Sequence, residues 1–437
     1  MQRKRKNMNE NIDKLYKTAQ KEERLIIGLM SGTSMDGLDV ALCKFKGSGG
    51  ETEVKVVAFE TVDFSEDIKD EIRKIFAKSN IDFQQLCMLN PWIGNLHGEI
   101  VNNCLEKWGI LHENVDLIAS HGQTVFHAPK ILHKLAKFPN ATLQIGDGDH
   151  IAVKTGIVTF SDFRQKHCAA GGEGAPLAVY GDYLIFSKRG ENRILLNMGG
   201  IANFTYLAGN LDANEVFATD TGTGNTLIDA YMKKHFDLPY DEDAKIASQG
   251  KINQDLLKVL KNNEFFSKLS GGVPSGGVPL PKTTGPELFN LAYLSNAQNQ
   301  SNTSNLSHQD ILATLCRFSA ETIAEAILQL PIFKNQQSVS NIDSPLGQSS
   351  CRTVDGSDIC IYGSGGGVHN PLIMSYLRDL LANVAFKKTD ELGISGDAKE
   401  AVLFAILANE AIAGGRTNFG TRKGVPNVSM GKISFPK

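Results

Sequence analysis

One pattern occurs in both halves of this 437-residue chain. Residues 24–30 form an apolar run, 31–37 a polar turn containing glycine, and 38–45 a segment with Val40, Leu42 and Phe45 at intervals. Residues 194–196, the turn Asn197-Met198-Gly199-Gly200 and residues 201–207 repeat the arrangement. Short apolar runs bounded by turn residues read as strands, so each copy is a hairpin with a polar tip. Two such hairpins imply two similar α/β halves, and 437 residues are enough to bury a core in each.

The remaining periodicities supply helices and further strands. In 96–108, Leu96, Ile100, Val101, Cys104, Leu105 and Trp108 share one helical face, and Gly109 ends it. Residues 115–119 read as a buried strand running into Ser120-His121-Gly122-Gln123-Thr124. Residues 216–219 form another, leading into Asp220-Thr221-Gly222-Thr223-Gly224-Asn225, with Asn225 as the N-cap of the next helix. An amphipathic helix spans 310–330 and stops at Pro331, and a last one spans 398–413 and closes at Gly414-Gly415. The Asn-, Gln- and Ser-rich stretches 296–309 and 335–357 are expected to be surface insertions.

Charge and cysteine content remove several classes of function. Lys and Arg number 45 against 48 Asp and Glu, for a net charge of -3, so no field draws the chain to nucleic acid or to an anionic membrane. A small molecule is the expected partner. Residues 1–23 are polar, lack the apolar core of a signal peptide, and read as a solvated tail. No apolar run approaches the roughly 20 residues a membrane helix needs, so a cytoplasmic protein is expected. Seven cysteines, an odd count with no Cys-x-x-Cys, argue against a disulfide framework and a zinc ribbon. Ten histidines show no His-x-x-x-His spacing, which leaves oxygen ligands for any metal.

Several segments could carry chemistry, and each has a plainer reading beside it. The hairpin tip Ser31-Gly32-Thr33-Ser34-Met35-Asp36-Gly37 gathers amides, hydroxyls and a carboxylate suited to phosphate oxygens and hydrated Mg²⁺. It is equally an Asp-Gly turn, and no Gly-Lys-Ser/Thr triplet makes a P-loop. Asp220 is a carboxylate at a strand end before a glycine turn, a general-base candidate or a turn Asp capping its own loop. Gly365, Gly366 and Gly367 would let a nucleotide approach the backbone, or form a loop. Asp162, Arg164 and Gly174 suit a sugar or phosphate cradle, or an ion network between Asp162 and Arg164. His121 and Gln123 offer donors for sugar hydroxyls, or ordinary hydrogen-bonded structure. Glu400 could bear on a metal, or complement the positive end of its helix.

Together these segments resemble the anhydro-N-acetylmuramic acid kinases from Leu25 to about Phe404. The resemblance rests on the 28–37 motif, Ser120-His121-Gly122-Gln123-Thr124, Asp162-Phe163-Arg164, Gly174-Ala175-Pro176-Leu177, Asn197-Met198-Gly199-Gly200-Ile201-Ala202-Asn203, the 220–225 motif, Pro281-Lys282-Thr283-Thr284-Gly285 and Gly365-Gly366-Gly367. It implies two actin-like (ribonuclease H-like) α/β domains with ATP in an interdomain cleft. On this basis a polar tail covers 1–23, a first domain 24–155 and a second 156–437, with return of the C-terminal segment to the first domain left open.

It further implies a homodimer that uses ATP and Mg²⁺ to open 1,6-anhydro-N-acetylmuramic acid hydrolytically and phosphorylate its O6. Gly32, Thr33, Ser34, Met35, Asp36, Gly37, Leu38 and Asp39 would bind ATP, with Gly199, Gly200, Gly365, Gly366 and Gly367. Asp220 would be the catalytic base and Glu400 would assist it, both with Asp36 at the Mg²⁺. His121, Gln123, Asp162, Arg164 and Gly174 would bind the sugar. Three residues depart from the family pattern: His167 where many members have Asp, Glu173 where Gln is usual, and Pro286 where Arg follows Thr-Gly. Levoglucosan kinase is the rival within enzymes, and a non-catalytic actin-like nucleotide-binding protein the rival outside them.

Overall fold

The computed structural model describes residues 9–32, 35–175, 177–267, 284, 285, 288–334, 358–382, 384–414, 418–420 and 425–437. The chain forms two compact units, Met1–Ser187 with Leu392–Lys437, and Lys188–Glu391. Residues 156–187, expected in the second unit, belong to the first, because a short strand at 159–161 adds to its sheet.

In the first unit, strands β1 (Glu23–Ser31), β2 (Gly37–Lys46), β3 (Glu53–Asp63), β4 (Leu117–Ala128), β5 (Ala141–Ile145) and β6 (Thr159–Ser161) share one sheet. β1, β2 and β3 form an antiparallel meander, β4 lies parallel to β1, and β6 parallel to β4. In the second unit, β7 (Glu191–Met198), β8 (Ile201–Leu207), β9 (Phe217–Thr223), β10 (Asp358–Ser364) and β11 (Ala385–Lys388) repeat the plan. β7, β8 and β9 are antiparallel, β10 is parallel to β7, and β11 to β10. The spatial orders β3-β2-β1-β4-β6 and β9-β8-β7-β10-β11 therefore match in sequence and polarity, which is the actin-like arrangement occurring twice. A twelfth strand, β12 (Lys432–Ser434), extends the first sheet antiparallel to β6.

Helices cover both faces of the first sheet at its centre, so β1 and the first part of β4 are buried almost throughout, whereas the edge strand β3 alternates between half-buried and exposed residues. Ile27 and Leu29 of β1 with Leu38, Val40 and Leu42 of β2 pack into one core with Leu89, Ile93, Val101 and Leu105 of a long helix (Phe83–Trp108). That helix starts well before the expected residue 96. Asp82 caps its first amides, the turns before 96 bury Leu89 and Ile93, and it passes through Pro91 before ending at the left-handed Gly109. On the opposite face, a Cβ on Gly28 would lie 1.9 Å from the Ala401 carbonyl oxygen, so the C-terminal helix (Lys399–Ala413) rests directly on β1.

Residues 10–20, expected to be part of a solvated tail, are a helix. Asn9 caps it, Thr18 is buried, and the following Lys21 makes an ion pair with Asp116 at 2.6 Å. The 310–330 helix runs His308–Leu328 behind a Ser307 cap. The polar stretch 296–309 is only partly an insertion, because its first residues end a helix (Leu291–Gln300) that buries Leu294 and Ala297. The stretch 335–357 lies outside the described residues.

Candidate functional site

In the first unit the β1–β2 tip is held from behind. Ser31 Oγ lies 2.6 Å from Gln123 Oε1 and 3.0 Å from the Gly37 carbonyl oxygen, and Gln123 Nε2 donates to the Gly32 carbonyl at 2.8 Å. At Gly37 a Cβ would lie 2.4 Å from the Val62 carbonyl oxygen, so glycine is required where β3 closes on the turn. Met35 is left-handed and Asp36 is exposed, while Thr33 and Ser34 lie outside the described residues. Leu38 points into the core, which leaves its side chain no route to a nucleotide. Asp39 accepts a 2.6 Å bond from Thr61 Oγ1. Burial raises its carboxyl above the ordinary Asp range; Thr61 opposes this and Asp397 adds to it.

His121 and Gln123, expected to reach a sugar, are buried inside β4, which continues through the Ser-His-Gly-Gln-Thr segment instead of ending before it. Gly122, at φ +79°, accommodates the irregular pairing there. Arg164 Nε donates to His121 Nε2 at 2.7 Å and Nη1 to the Gly174 carbonyl at 2.8 Å. Burial and the Arg164 charge push His121 down to about 3, so its imidazole is neutral. Asp162, itself left-handed, pairs with Lys432 at 3.3 Å and not with Arg164. Glu400 is exposed in the first turn of the C-terminal helix. Burial lowers the Arg164 guanidinium, and the charge of Glu400 offsets part of that. Asp397, which sequence reasoning missed, stands three residues before Glu400 and acts electrostatically on Asp39; its only signal was its place just ahead of that helix.

In the second unit three glycine segments converge. A Cβ on Gly224 would lie 2.2 Å from the Gly199 carbonyl oxygen, one on Gly365 2.7 Å from the Met198 oxygen, and one on Gly367 2.7 Å from Met198 Cβ. Gly199 and Gly366 remain open, with no heavy atom nearer than 3.7 Å and 3.9 Å to their added Cβ positions. The amides of Gly224, Asn225 and Thr226 donate to the carbonyls of Gly200, Gly199 and Gly200 at 2.8, 2.9 and 3.0 Å. Asn225 holds the N-cap position of the helix Thr226–Phe236 without a side-chain bond, because the glycine turn takes over the capping.

Asp220 lies within β9 opposite Asn203, not after the strand, and a register shift at Ala202 and Asn203 accompanies it. Its Oδ2 accepts the Thr284 amide at 2.8 Å. Burial raises its carboxyl, and the Thr284 bond opposes the shift. Pro176, Pro281, Lys282, Thr283 and Pro286 lie outside the described residues. Among the described residues no three His, Cys, Asp or Glu side chains form a metal-holding group.

The family described as anhydro-N-acetylmuramic acid kinase matches residues 24–341 and 348–435. The chain belongs to the anhydro-N-acetylmuramic acid kinase family. A relative from Pseudoalteromonas atlantica bearing that family name is 54% identical, with 98% of this chain and 100% of the relative covered. Relatives of the same name from Caldanaerobacter subterraneus and Clostridioides difficile are 35% and 37% identical, over 97% and 93% of this chain and 100% and 97% of theirs. Anhydro-N-acetylmuramic acid kinase membership makes the chain a phosphotransferase acting on a sugar hydroxyl. None of the helices among the described residues is long and apolar enough to cross a membrane.

Proposed function

We propose that this enzyme uses ATP to open 1,6-anhydro-N-acetylmuramic acid with water and to phosphorylate the freed O6, giving N-acetylmuramic acid 6-phosphate. The observation that carries the reading is the family match across residues 24–341 and 348–435. Asp220 takes a proton from water as the water oxygen attacks the anomeric carbon. The bond from that carbon to O6 breaks, O6 bonds to the γ-phosphorus, and the bond from phosphorus to ADP breaks. The proton on Asp220 then passes to solvent.

Two features of Asp220 favour this role. Its raised proton affinity makes it a stronger base than an exposed Asp, and the Thr284 amide fixes Oδ2, leaving Oδ1 for the water. A separate acid for the leaving oxygen is unnecessary, because O6 transfers its developing charge to phosphorus; an ordinary glycosidase needs a second carboxylate there. Gly199, Gly200 and Gly365 to Gly367 are assigned to ATP, and the open positions at Gly199 and Gly366 support close approach of a ligand to the backbone. Bound Mg²⁺ would neutralise phosphate charge, with Asp36 and Glu400 as the carboxylates that hold it directly or through water. The reading includes a cytoplasmic homodimer.

Asp36→Ala and Glu400→Ala are expected to raise the Mg²⁺ concentration for half-maximal activity several-fold, with partial rescue at high Mg²⁺. Identical Mg²⁺ titrations for both variants and the parent protein would remove these residues from the metal site. The substrate is tested by ATP consumption across a panel of anhydro sugars. Fast turnover of levoglucosan with slow turnover of the muramic acid sugar would keep the chemistry and overturn the substrate.

A further inference from the structure

His167 is fully buried in the helix Phe163–Ala169, with Tyr180 edge-on at 5.6 Å. Its Nδ1 accepts the Gly174 amide at 2.9 Å. The turn before Gly174 wraps the imidazole closely: a Cβ on Gly172 would lie 2.3 Å from the ring, and Asn140 Nδ2 donates to the Gly172 carbonyl at 2.9 Å. The amide and carbonyl of Gly174 therefore face two different partners, His167 and Arg164.

From Arg164 the bonding continues in one direction. A guanidinium can only donate, so His121 Nε2 is the acceptor and the proton of this neutral ring sits on Nδ1. That Nδ1 lies 2.8 Å from the Gly122 carbonyl and 3.2 Å from the Ser31 carbonyl, both of which can only accept. Ser31 begins the β1–β2 tip. Fixing Nε and Nη1 also fixes the plane of the guanidinium, whose Nη2 makes no hydrogen bond among the described residues.

We propose that His167 is a positioning residue which, by holding Gly174, sets the Arg164 guanidinium so that Nη2 faces the carbohydrate, while His121 ties that guanidinium to the phosphate hairpin. The kinetic consequence rests on the proposed anhydro-sugar kinase reading; the bonding chain does not. Loss of the Nδ1 acceptor frees the Gly174 turn and lets Arg164 drift, which weakens sugar binding first.

Two variants separate hydrogen bonding from packing. His167→Phe keeps a ring and loses the acceptor, whereas His167→Asn offers Oδ1 near the position of Nδ1. His167→Phe is expected to raise the sugar KM about tenfold with the ATP KM within about twofold, and His167→Asn to recover most of the loss. An unchanged sugar KM in His167→Phe, or equal damage to both substrates in both variants, would overturn the proposal. A second readout needs no turnover: ¹⁵N spectra of the full chain should give His121 as the Nδ1–H tautomer, with its Nε2 signal displaced in His167→Phe and restored in His167→Asn. If no anhydro sugar is turned over, the proposed function fails and this spectrum alone decides the chain; a His121 signal indifferent to His167→Phe would overturn it.

Discussion

Asp220→Asn is expected to fold and bind ATP like the parent protein while turnover falls on the order of 10²-fold or more. The amide has the shape of the carboxylate and can still accept the Thr284 amide bond at its oxygen, but it cannot take a proton from water. In the parent enzyme the same residue, as the proposed base, is expected to set the acid limb of the pH profile. Burial, opposed in part by the Thr284 amide, holds the Asp220 carboxyl above its ordinary value. The base acts only when deprotonated, so kcat/KM should fall as pH drops through that raised value, at a higher pH than an exposed Asp would give. Turnover of the Asn variant near that of the parent, or an acid limb that persists unchanged in its residual activity, would remove Asp220 from the role.

Gly28→Ala should damage the protein by a different route. The new Cβ would lie 1.9 Å from the Ala401 carbonyl oxygen and 2.8 Å from its carbon, and main-chain atoms in a packed helix cannot swing aside as a flexible side chain can. Overpacking of this kind costs about 3 kcal/mol or more, a fall in melting temperature on the order of 6–12 °C for a unit of this size. Activity should fall even below the melting transition, because the displaced helix carries Glu400, a proposed Mg²⁺ carboxylate, and the displaced strand leads into the β1–β2 tip proposed to hold the phosphates. Gly109→Ala is the control. Gly109 is left-handed with no heavy atom within 4 Å of its added Cβ, so only the backbone penalty of roughly 1 kcal/mol applies. Equal melting temperatures for the two variants would contradict the close-packing account.

The doubled fold could be read from the chain because its signal is local. The hairpins 24–45 and 194–207 appear as Glu23–Lys46 and Glu191–Leu207, interrupted by the expected turns. The failures arose where tertiary contacts override local pattern. Strands β4 and β9 run through segments that look like loops, because partner strands continue to pair with polar residues such as Gln123 and Asp220. The helix Glu10–Gln20 reads as tail in isolation, since much of what anchors it is a single distant carboxylate, Asp116.

The site divided in the same way. Residue types suited to phosphate and base chemistry were visible in the sequence, but their division of labour was not. His121 and Gln123 have the donors a sugar needs, and only the structure reveals that these face the Ser31, Gly122 and Gly32 carbonyls, while His121 Nε2 accepts from Arg164. The capping of the Thr226–Phe236 helix by glycine carbonyls, in place of Asn225, likewise depends on a close approach between segments that no sequence spacing encodes.

In the proposed reaction, one event opens the anhydro ring with water and moves the γ-phosphoryl group to O6. Running the reaction in ¹⁸O-labelled water and locating the label by mass spectrometry and ³¹P NMR tests it directly. Label is expected on the anomeric oxygen of the product, with unlabelled O6 bonded to phosphorus and a first-formed anomer of inverted, α configuration, because water enters opposite the anhydro oxygen. Label in free phosphate, with the anhydro sugar unconsumed, would mean that the protein hydrolyses ATP and would contradict the coupled mechanism.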